Sequence, residues 1–354
     1  MYKRIVTHYQ DSRRNFKLFS ALVGILLLTS VYKIYSDVFS PNIELKQTKE
    51  KTFVFVRSDK NFNVFLKQIQ QSYYLKNGAS FRRLARLISL DEKLKPGRYQ
   101  ITDGMSNWDL IKMLLKGRQE TFDVVLKYAE RKEEIARFFS HQLEADSNTI
   151  NLLLSDSFYV HNIGFDTNTI LCLFIPNTYN FYWNTRSIAV LERMHKEYLK
   201  FWDVKRLTRA FQNQMTPIQV SILASIVEKE TNKTDEMPVV AGVYINRLRK
   251  GMPLQADPTV IYAWNDKNIR RVTHLHTTIL SPYNTYMNAG LPPGPICTPS
   301  IQAIEAVLNY KHHDYFYFCA KEDFSGYHSF AETLEQHIQN AKRYQRALNA
   351  NGIQ

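Results

Sequence analysis

Residues 18–35, LFSALVGILLLTSVYKIY, form an apolar run of eighteen residues whose only formal charge is Lys33, and this run constrains the chain more than any other segment. At a helical rise of 1.5 Å per residue the run spans about 27 Å, close to the ~30 Å hydrocarbon core of a bilayer. It has no polar face, which argues against a buried core helix. A cleaved signal peptide is the alternative, but bulky residues follow the run where cleavage needs small ones. We predict a transmembrane helix over 18–36.

The segment before this run is basic. Residues 1–17 contain five lysine or arginine residues and one aspartate. Positive charge on one side of a span keeps that side in the cytoplasm, so we expect a cytoplasmic tail over 1–17 and the rest of the chain, residues 37–354, outside the membrane. The net charge of +13 indicates contact with an anionic polymer or surface. An extracytoplasmic location argues against nucleic acid, and the sequence contains no recognisable nucleic-acid-binding module.

The remaining chain has the composition of globular domains, with 44% hydrophobic and 22% charged residues. We predict an α+β protein with a polar linker over 37–51 and a small α/β domain over 52–128. A mainly helical connecting region follows over 129–212, and a mixed α+β catalytic domain over 213–347, where Gly-, Pro- and Asn-rich loops separate helical segments.

A predicted helix near the middle of the chain ends in two glutamates. In TPIQVSILASIVEKET, Thr216 is a suitable N-cap and Gln219 completes a capping box. From that start, Ile222, Ile226 and Glu230 share one stripe at intervals of four residues, so Glu230 continues the buried face. Glu228 falls on the small, polar side.

The two carboxylates are therefore expected to differ. An apolar environment disfavours the charged form of Glu230 and raises its pKa, which is what a general acid needs. Glu228 is better solvated, and we interpret it as a supporting group that stays ionised and pairs with a basic residue such as Lys233. The alternative for Glu230 is a structural glutamate at a helix C-terminus, satisfied by a nearby lysine or arginine.

Four motifs carry a family resemblance. ASIVEKET, VAGVYINRLRKGMPLQADPTVIYA, SPYNTYMNAGLPPGPICTPS and YHSFAETLEQH occur in this order over roughly residues 220–345. Together they resemble the endolytic murein transglycosylase family, the MltG type that is also called YceG-like. The preceding LKPGRYQITDGMSNWDLIKMLLKG resembles the LysM-like module of the same family. The resemblance identifies the glutamate before threonine in EKET, Glu230, as the catalytic acid/base.

The resemblance also implies a reaction. It is the non-hydrolytic cleavage of the β-1,4 bond between N-acetylmuramic acid and N-acetylglucosamine in nascent peptidoglycan, which leaves a 1,6-anhydro end. One carboxyl group suffices for this chemistry, because no second carboxylate has to activate water. The family implies no cofactor and no metal, a bacterial cytoplasmic-membrane location, and peptidoglycan polymerases (penicillin-binding proteins) as partners.

Polar loop residues are the candidates for holding the glycan and the developing positive charge: Gln255, Asp257, Thr259, Tyr283, Asn284 and Tyr286. Asp257 is equally compatible with a turn, since Asp-Pro commonly initiates one. Asn246 and Arg247 either order the site or contact peptide carboxylates; a structural hydrogen bond or ion pair explains them as well.

The chain departs from the family pattern at three places. TILCLFIPNTYNF has Asn177 where the family has aspartate, KYAERKEE replaces the usual Glu-Gly after the small domain, and Cys297 stands where a small residue is common. None of these changes involves Glu230, so activity is expected.

Two other functions compete with the transglycosylase. A muramidase-type hydrolase would need a second carboxylate, for which Asp257 is the nominee. A catalytically silent wall-binding scaffold would not depend on Glu230. A metal hydrolase is disfavoured, because the histidine pairs in THLHT and at 312–313 lack an accompanying carboxylate motif.

Overall fold

A long helix, α1 (Tyr2–Phe39), begins the computed structural model, which describes residues 2–45, 51–59, 61–71, 74–266, 268–269 and 271–352. Within this part of the chain, Asn15–Phe39 is the one helical segment long and apolar enough to cross a membrane, with a mean hydropathy of 1.8 and no buried positions in its most apolar window. The apolar run identified in the sequence lies inside this segment.

The chain divides into two compact units, and α1 belongs to the smaller one. The smaller unit extends to Phe122 and includes residues 181–184. Its strands β1 (Thr52–Val56) and β2 (Gly97–Ile101) pair antiparallel, with Thr52 opposite Ile101. Four helices complete it: α2 (Phe62–Gln71), α3 (Gly78–Leu87), α4 (Leu90–Lys93) and α5 (Asn107–Lys116). Buried residues such as Val54, Tyr99 and Leu110 form its core.

The predicted linker over 37–51 is partly wrong. Residues 37–39 belong to α1, and the segment after it pairs with the small unit through isolated bridges between Pro41 and Ser106 and between Ile43 and Leu75. Asn42 and Ile43 are both buried. The side chain of Asn42 hydrogen-bonds to that of Asn107, and Ile43 belongs to the apolar core of the smaller unit. Residues 46–50 lie outside the described residues.

The larger unit contains residues 123–180 and 185–354. Strand β3 (Phe122–Leu126) pairs with β4 (Asn177–Phe181), and β5 (Tyr317–Ala320) pairs antiparallel with β6 (His328–Ala331). Its helices are α6 (Lys132–Gln142), α7 (Ser147–Ser155), α8 (Ser157–Asn162), α9 (Ser187–Phe201), α10 (Val204–Gln212), α11 (Pro217–Glu230), α12 (Met237–Arg249), α13 (Asp257–Trp264), α14 (Ile301–Leu308) and α15 (Leu334–Ala350). Short 3-10 helices cover Ile170–Leu173 and His276–Thr278.

These units confirm the mixed α+β class. They divide the chain at Phe122/Asp123, whereas the sequence-based boundary stood at 128/129. Residues on both sides of the predicted boundary at 212/213 belong to the same unit, because α11 packs against α10 as well as against α12, α13 and α14.

Helix α11 is the central element of the larger unit. Thr216 caps it, and the side chain of Gln219 accepts from the Thr216 backbone in return, as the capping-box pattern predicts. Pro217 occupies the first helical position, where a missing N–H costs nothing. Every residue from Val220 to Val227 is buried, so the helix is fixed on several sides up to its last turn.

Candidate active site

The last turn of α11 brings Glu230 against the neighbouring helix α12. Tyr244 Oη donates a hydrogen bond of 2.5 Å to Glu230 Oε1. Tyr244 itself is 1% exposed, and its ring packs edge-on against Phe318 of β5. The carboxyl group therefore lies in a protein-lined recess with a fixed partner, while Glu230 as a residue keeps partial access to solvent.

Burial raises the pKa of Glu230 to about 7. The hydrogen bond from Tyr244 opposes this shift because it favours the ionised carboxylate, and the positive charge of Arg247 acts in the same direction. The negative charge of Asp257 raises the pKa further. A carboxyl group with a pKa near neutrality can both give and take a proton at physiological pH.

A second carboxylate, Asp257, opens helix α13. Tyr286 Oη donates a hydrogen bond of 2.5 Å to Asp257 Oδ1. Neighbouring protein atoms desolvate the Asp257 carboxyl group and raise its pKa, while the hydrogen bond from Tyr286 lowers it. The charge of Asp257 raises the pKa of Glu230, so these two predicted residues lie close enough to interact. Tyr286 joins them through its hydrogen bond to Asp257.

Glu228 lies away from this pair and has a different partner from the one predicted. Ser300, the N-cap of α14, donates to Glu228 Oε2 through its hydroxyl and, at 3.2 Å, through its backbone N–H. Lys233 instead places its ammonium group 4.8 Å from the centre of the Tyr327 ring. The pairing of Glu228 with Lys233 is therefore wrong, because the start of α14 provides nearer donors for the carboxylate.

The side chains of Asn246 and Arg247 donate hydrogen bonds to backbone carbonyl oxygens. Asn246 Nδ2 donates to the carbonyl oxygens of His313 at 2.7 Å and Tyr315 at 3.0 Å. Arg247 is 7% exposed and donates to Phe316 O at 2.6 Å and Leu254 O at 2.7 Å. Of the two interpretations open from the sequence, this geometry favours ordering of the site by structural hydrogen bonds.

The other predicted residues separate into buried and accessible groups. Thr259 and Asn284 are fully buried: Thr259 shares a 2.8 Å hydrogen bond with Thr285, and Asn284 Nδ2 donates to two loop carbonyl oxygens. Gln255 is exposed at a positive φ of 49°, and Tyr283 packs its half-buried ring against Tyr262 at 4.8 Å. The first pair shapes the loops, and the second pair is placed where a ligand can reach it.

A cleft runs along one side of α13. Its volume is about 270 Å³, and its lining includes Lys229 and Pro258, the chain neighbours of Glu230 and Asp257. It continues along α13 past Ile261 and Tyr262. Among the residues that the structure describes, no group of three or more His, Cys, Asp or Glu side chains is arranged to hold a metal ion.

Sequence reasoning missed Tyr244 and a buried network around Glu236. Glu236 is 5% exposed and accepts hydrogen bonds from Thr231 Oγ1 at 3.1 Å and from His328 through its N–H and Nδ1, both at 2.7 Å. Thr231 directly follows Glu230, so this network fixes the end of α11 to strand β6. The signals were available in the quoted motifs, as the tyrosine of VYINRL and the histidine of YHSF, but nothing in their spacing connects them with Glu230.

Comparison with protein families gives one match over most of the chain. The family model described as YceG-like matches residues 54–343. This range contains most of both compact units and every residue of the candidate site described above.

Individual relatives agree with that match. The chain is 30% identical over 268 residues to the endolytic murein transglycosylase of Bacillus subtilis, which covers 70% of this chain and 72% of the relative. It is 28% identical to the endolytic murein transglycosylase of Streptococcus pneumoniae, of which it spans 55%. The crystal structure of a putative yceG-like protein from Listeria monocytogenes superposes with a TM-score of 0.56 at 25% identity, over 82% of this chain and 99% of that one.

Proposed function

Since this chain belongs to the YceG-like family, we propose that it is an endolytic lytic transglycosylase of peptidoglycan. It cleaves the β-1,4 bond between N-acetylmuramic acid and N-acetylglucosamine and leaves 1,6-anhydro ends. The observation that carries this proposal is Glu230: a partly accessible carboxyl group with a pKa of about 7 that accepts a hydrogen bond from the buried Tyr244.

In the proposed reaction Glu230 acts twice. The protonated carboxyl group gives its proton to the glycosidic oxygen while the bond from that oxygen to C1 of the muramic acid breaks. The resulting carboxylate takes the proton of the C6 hydroxyl group of the same sugar as O6 bonds to C1. The proton on Glu230 is thereby restored and no water is consumed. The Tyr244 hydrogen bond stabilises the carboxylate between these two steps.

Asp257 and Tyr286 are proposed to act on the developing positive charge at C1. Asp257 is close enough to raise the pKa of Glu230, and Tyr286 holds its carboxylate by a hydrogen bond, so its negative charge can stabilise a positive charge beside Glu230. Gln255 and Tyr283 are proposed to contact the glycan, because Gln255 is exposed and Tyr283 is half-buried. Thr259, Asn284, Asn246 and Arg247 support the loops that carry these contacts, and Glu228 anchors α14 to α11.

The apolar helix supports a membrane-anchored form of this enzyme. With basic residues before the span, residues 1–17 lie in the cytoplasm and the compact units outside, at the bacterial cytoplasmic membrane. There the active site meets glycan strands as they emerge, which makes peptidoglycan polymerases the proposed partners.

The smaller unit supports the LysM-like assignment, because helices α2 to α4 separate two antiparallel strands in the order β1–α2–α3–α4–β2.

The test is digestion of purified murein sacculi with the full chain in detergent, followed by mass analysis of the products. Anhydro ends weigh one water less than reducing ends. We expect Glu230→Gln to lower the rate by about 100- to 10,000-fold, since it removes the proton donor and acceptor. The matched variant is Glu228→Gln, two residues away on the same helix. It should lower the melting temperature and leave turnover within a few-fold.

A hydrolase is the second candidate, because Asp257 lies close enough to Glu230 to raise its pKa. In that case Asp257 would activate a water molecule and the products would carry reducing ends. Products that are one water heavier, and that disappear with Asp257→Asn, would establish the hydrolase and exclude the transglycosylase.

A further inference from the structure

The smaller unit is docked on the end of α1 without a flexible spacer. Asn107 Nδ2 donates to Asp37 O at 2.7 Å, and Arg83 Nη2 contacts Asp37 Oδ2 at 2.6 Å. Just beyond α1, Asn42 Nδ2 donates to Asn107 Oδ1 at 2.7 Å, and Asn42 Oδ1 accepts from the backbone N–H of Asn77 at 2.7 Å. These bonds, of which the one between Asn42 and Asn107 is buried, fix the direction in which the unit leaves the helix.

Helix α3 approaches the apolar segment as it proceeds. Its N-cap, Asn77, bonds to Asn42, which lies after the end of α1. One turn later Ser80 contacts Asn107, which in turn holds Asp37. Another turn later Arg83 contacts Asp37 itself. Since Asp37 follows the apolar run by two residues, about 3 Å along the helix axis, the last turn of α3 is at the level of lipid headgroups.

The residues on that last turn suit such a location. Arg82, Arg83 and Arg86 are exposed, and Leu87 is 82% exposed at the end of the helix. Asp91 of α4 lines the same groove as Arg82 and Arg86, and Arg82 also donates to Gln70 at 3.5 Å, so the arginines outnumber the carboxylates around this turn. At the level of the headgroups, a leucine beside arginines can enter the interface while the arginines meet lipid phosphates.

We propose that the last turn of α3 is a second membrane contact, in which Arg82 and Arg86 bind the phosphates of anionic phospholipids and Leu87 enters the headgroup region. This contact, together with α1, orients the smaller unit on the membrane surface. The proposal rests on the membrane anchoring proposed above and goes beyond it, because a span alone leaves the unit free to tilt. It makes no use of the active site.

The experiment places a fluorophore at Leu87. The full chain carries Leu87→Cys in a Cys319→Ser background, since Cys172 and Cys297 are buried. The labelled protein is reconstituted into nanodiscs of phosphatidylcholine alone or with added phosphatidylglycerol. Emission wavelength and quenching by aqueous iodide are measured. The control position is Val64→Cys on α2, a half-exposed aliphatic residue on a helix that packs against β1.

With phosphatidylglycerol present, the probe at Leu87 should shift to shorter wavelength and become protected from iodide, while the probe at Val64 stays unchanged. Arg86→Ala should weaken this contact by about fivefold, the contribution of one arginine near an anionic surface. Equal emission in both lipids, or equal shifts at both positions, would overturn the proposal. A shift that appears in detergent and grows with protein concentration would also overturn it and indicate a second copy as the partner.

Co-purification of the chain with the discs is measured separately. A chain that fails to insert shows that the anchoring itself is wrong, and the headgroup contact is then rejected with it. Activity on sacculi does not depend on either result, so failure of the enzymatic proposal stays distinguishable.

Discussion

Tyr244 Oη and Glu230 Oε1 are joined by a hydrogen bond of 2.5 Å, between a fully buried phenol and a carboxyl group whose pKa is raised to about 7. Burial favours the protonated carboxyl group and raises its pKa, whereas the hydrogen bond from Tyr244 stabilises the carboxylate and lowers the pKa. The balance between these two effects determines the pH range in which Glu230 can alternate between acid and base.

Replacement of Tyr244 by phenylalanine should move the alkaline limb of the pH profile upward. The wild-type kcat/KM is expected to fall above pH 7, because the general acid must be protonated in the free enzyme. Tyr244→Phe removes a bond that lowers the pKa of Glu230, so the limb should shift by about one unit to higher pH. The measurement is kcat/KM on sacculi from pH 5 to 9. Tyr310→Phe, at another buried tyrosine, serves as the control. A limb that stays in place would contradict the role given to Tyr244.

Replacement of Asp257 by asparagine should move the same limb in the opposite direction. The negative charge of Asp257 raises the pKa of Glu230, so its removal should lower that pKa by about half a unit. We also expect kcat/KM to fall by about 10- to 100-fold, since the positive charge at C1 loses its partner. Products should keep their anhydro ends. Asp323→Asn, on a surface turn, is the control and should change neither the alkaline limb nor kcat/KM. An upward shift of the limb would refute the assigned electrostatics.

The free energy of unfolding of the Glu230→Gln variant should rise relative to that of the wild type as the pH increases. A carboxyl group whose folded pKa is raised from 4.5 to about 7 contributes stability that is complete below pH 4.5 and lost as the pH rises through 7. Glutamine carries no such dependence and still accepts the Tyr244 hydrogen bond. Relative to wild type, the variant should therefore gain about 2 kcal/mol in free energy of unfolding between pH 5 and pH 8. Thermal or urea unfolding at both values checks this, and an equal difference at the two pH values would speak against a raised pKa.

Replacement of Glu236 by glutamine should reduce both stability and turnover. Glu236 accepts from Thr231 and twice from His328. An amide removes the negative charge, and its NH2 group faces either the backbone N–H of His328 or, at the other oxygen position, Nδ1 of His328, which must then change tautomer. We expect a loss of about 2–4 kcal/mol in the free energy of unfolding. A fall in kcat that exceeds the change in KM is also expected, because Thr231 holds the residue next to it, Glu230.

Asp235→Asn is the control for this network. Asp235 neighbours Glu236 in the chain but, among the contacts that the structure describes, accepts only exposed hydrogen bonds from the half-buried Tyr327. Its replacement should change the free energy of unfolding by less than about 0.5 kcal/mol. Equal losses for the two variants would show that the buried network has no special role.

The features that sequence determined are those governed by local rules. The apolar run required a helix, because helix length and side-chain polarity alone decide whether a segment can cross a bilayer. The capping box at Thr216 and Gln219 fixed where α11 begins, and helical periodicity then placed Ile222, Ile226 and Glu230 on one side. The expectation of a raised pKa for Glu230 followed from that position.

Tertiary structure alone decided what surrounds Glu230. Tyr244 and Asp257 reach it because α12 and α13 pack on α11, and no local rule specifies which side chains meet across such a contact. The same limit explains the mistaken partner of Glu228, since Ser300 comes from α14, 72 residues further along the chain. It also explains why residues 37–45 read as a linker: their polar side chains bond to groups as distant as Asn107, and only the folded unit brings these groups together.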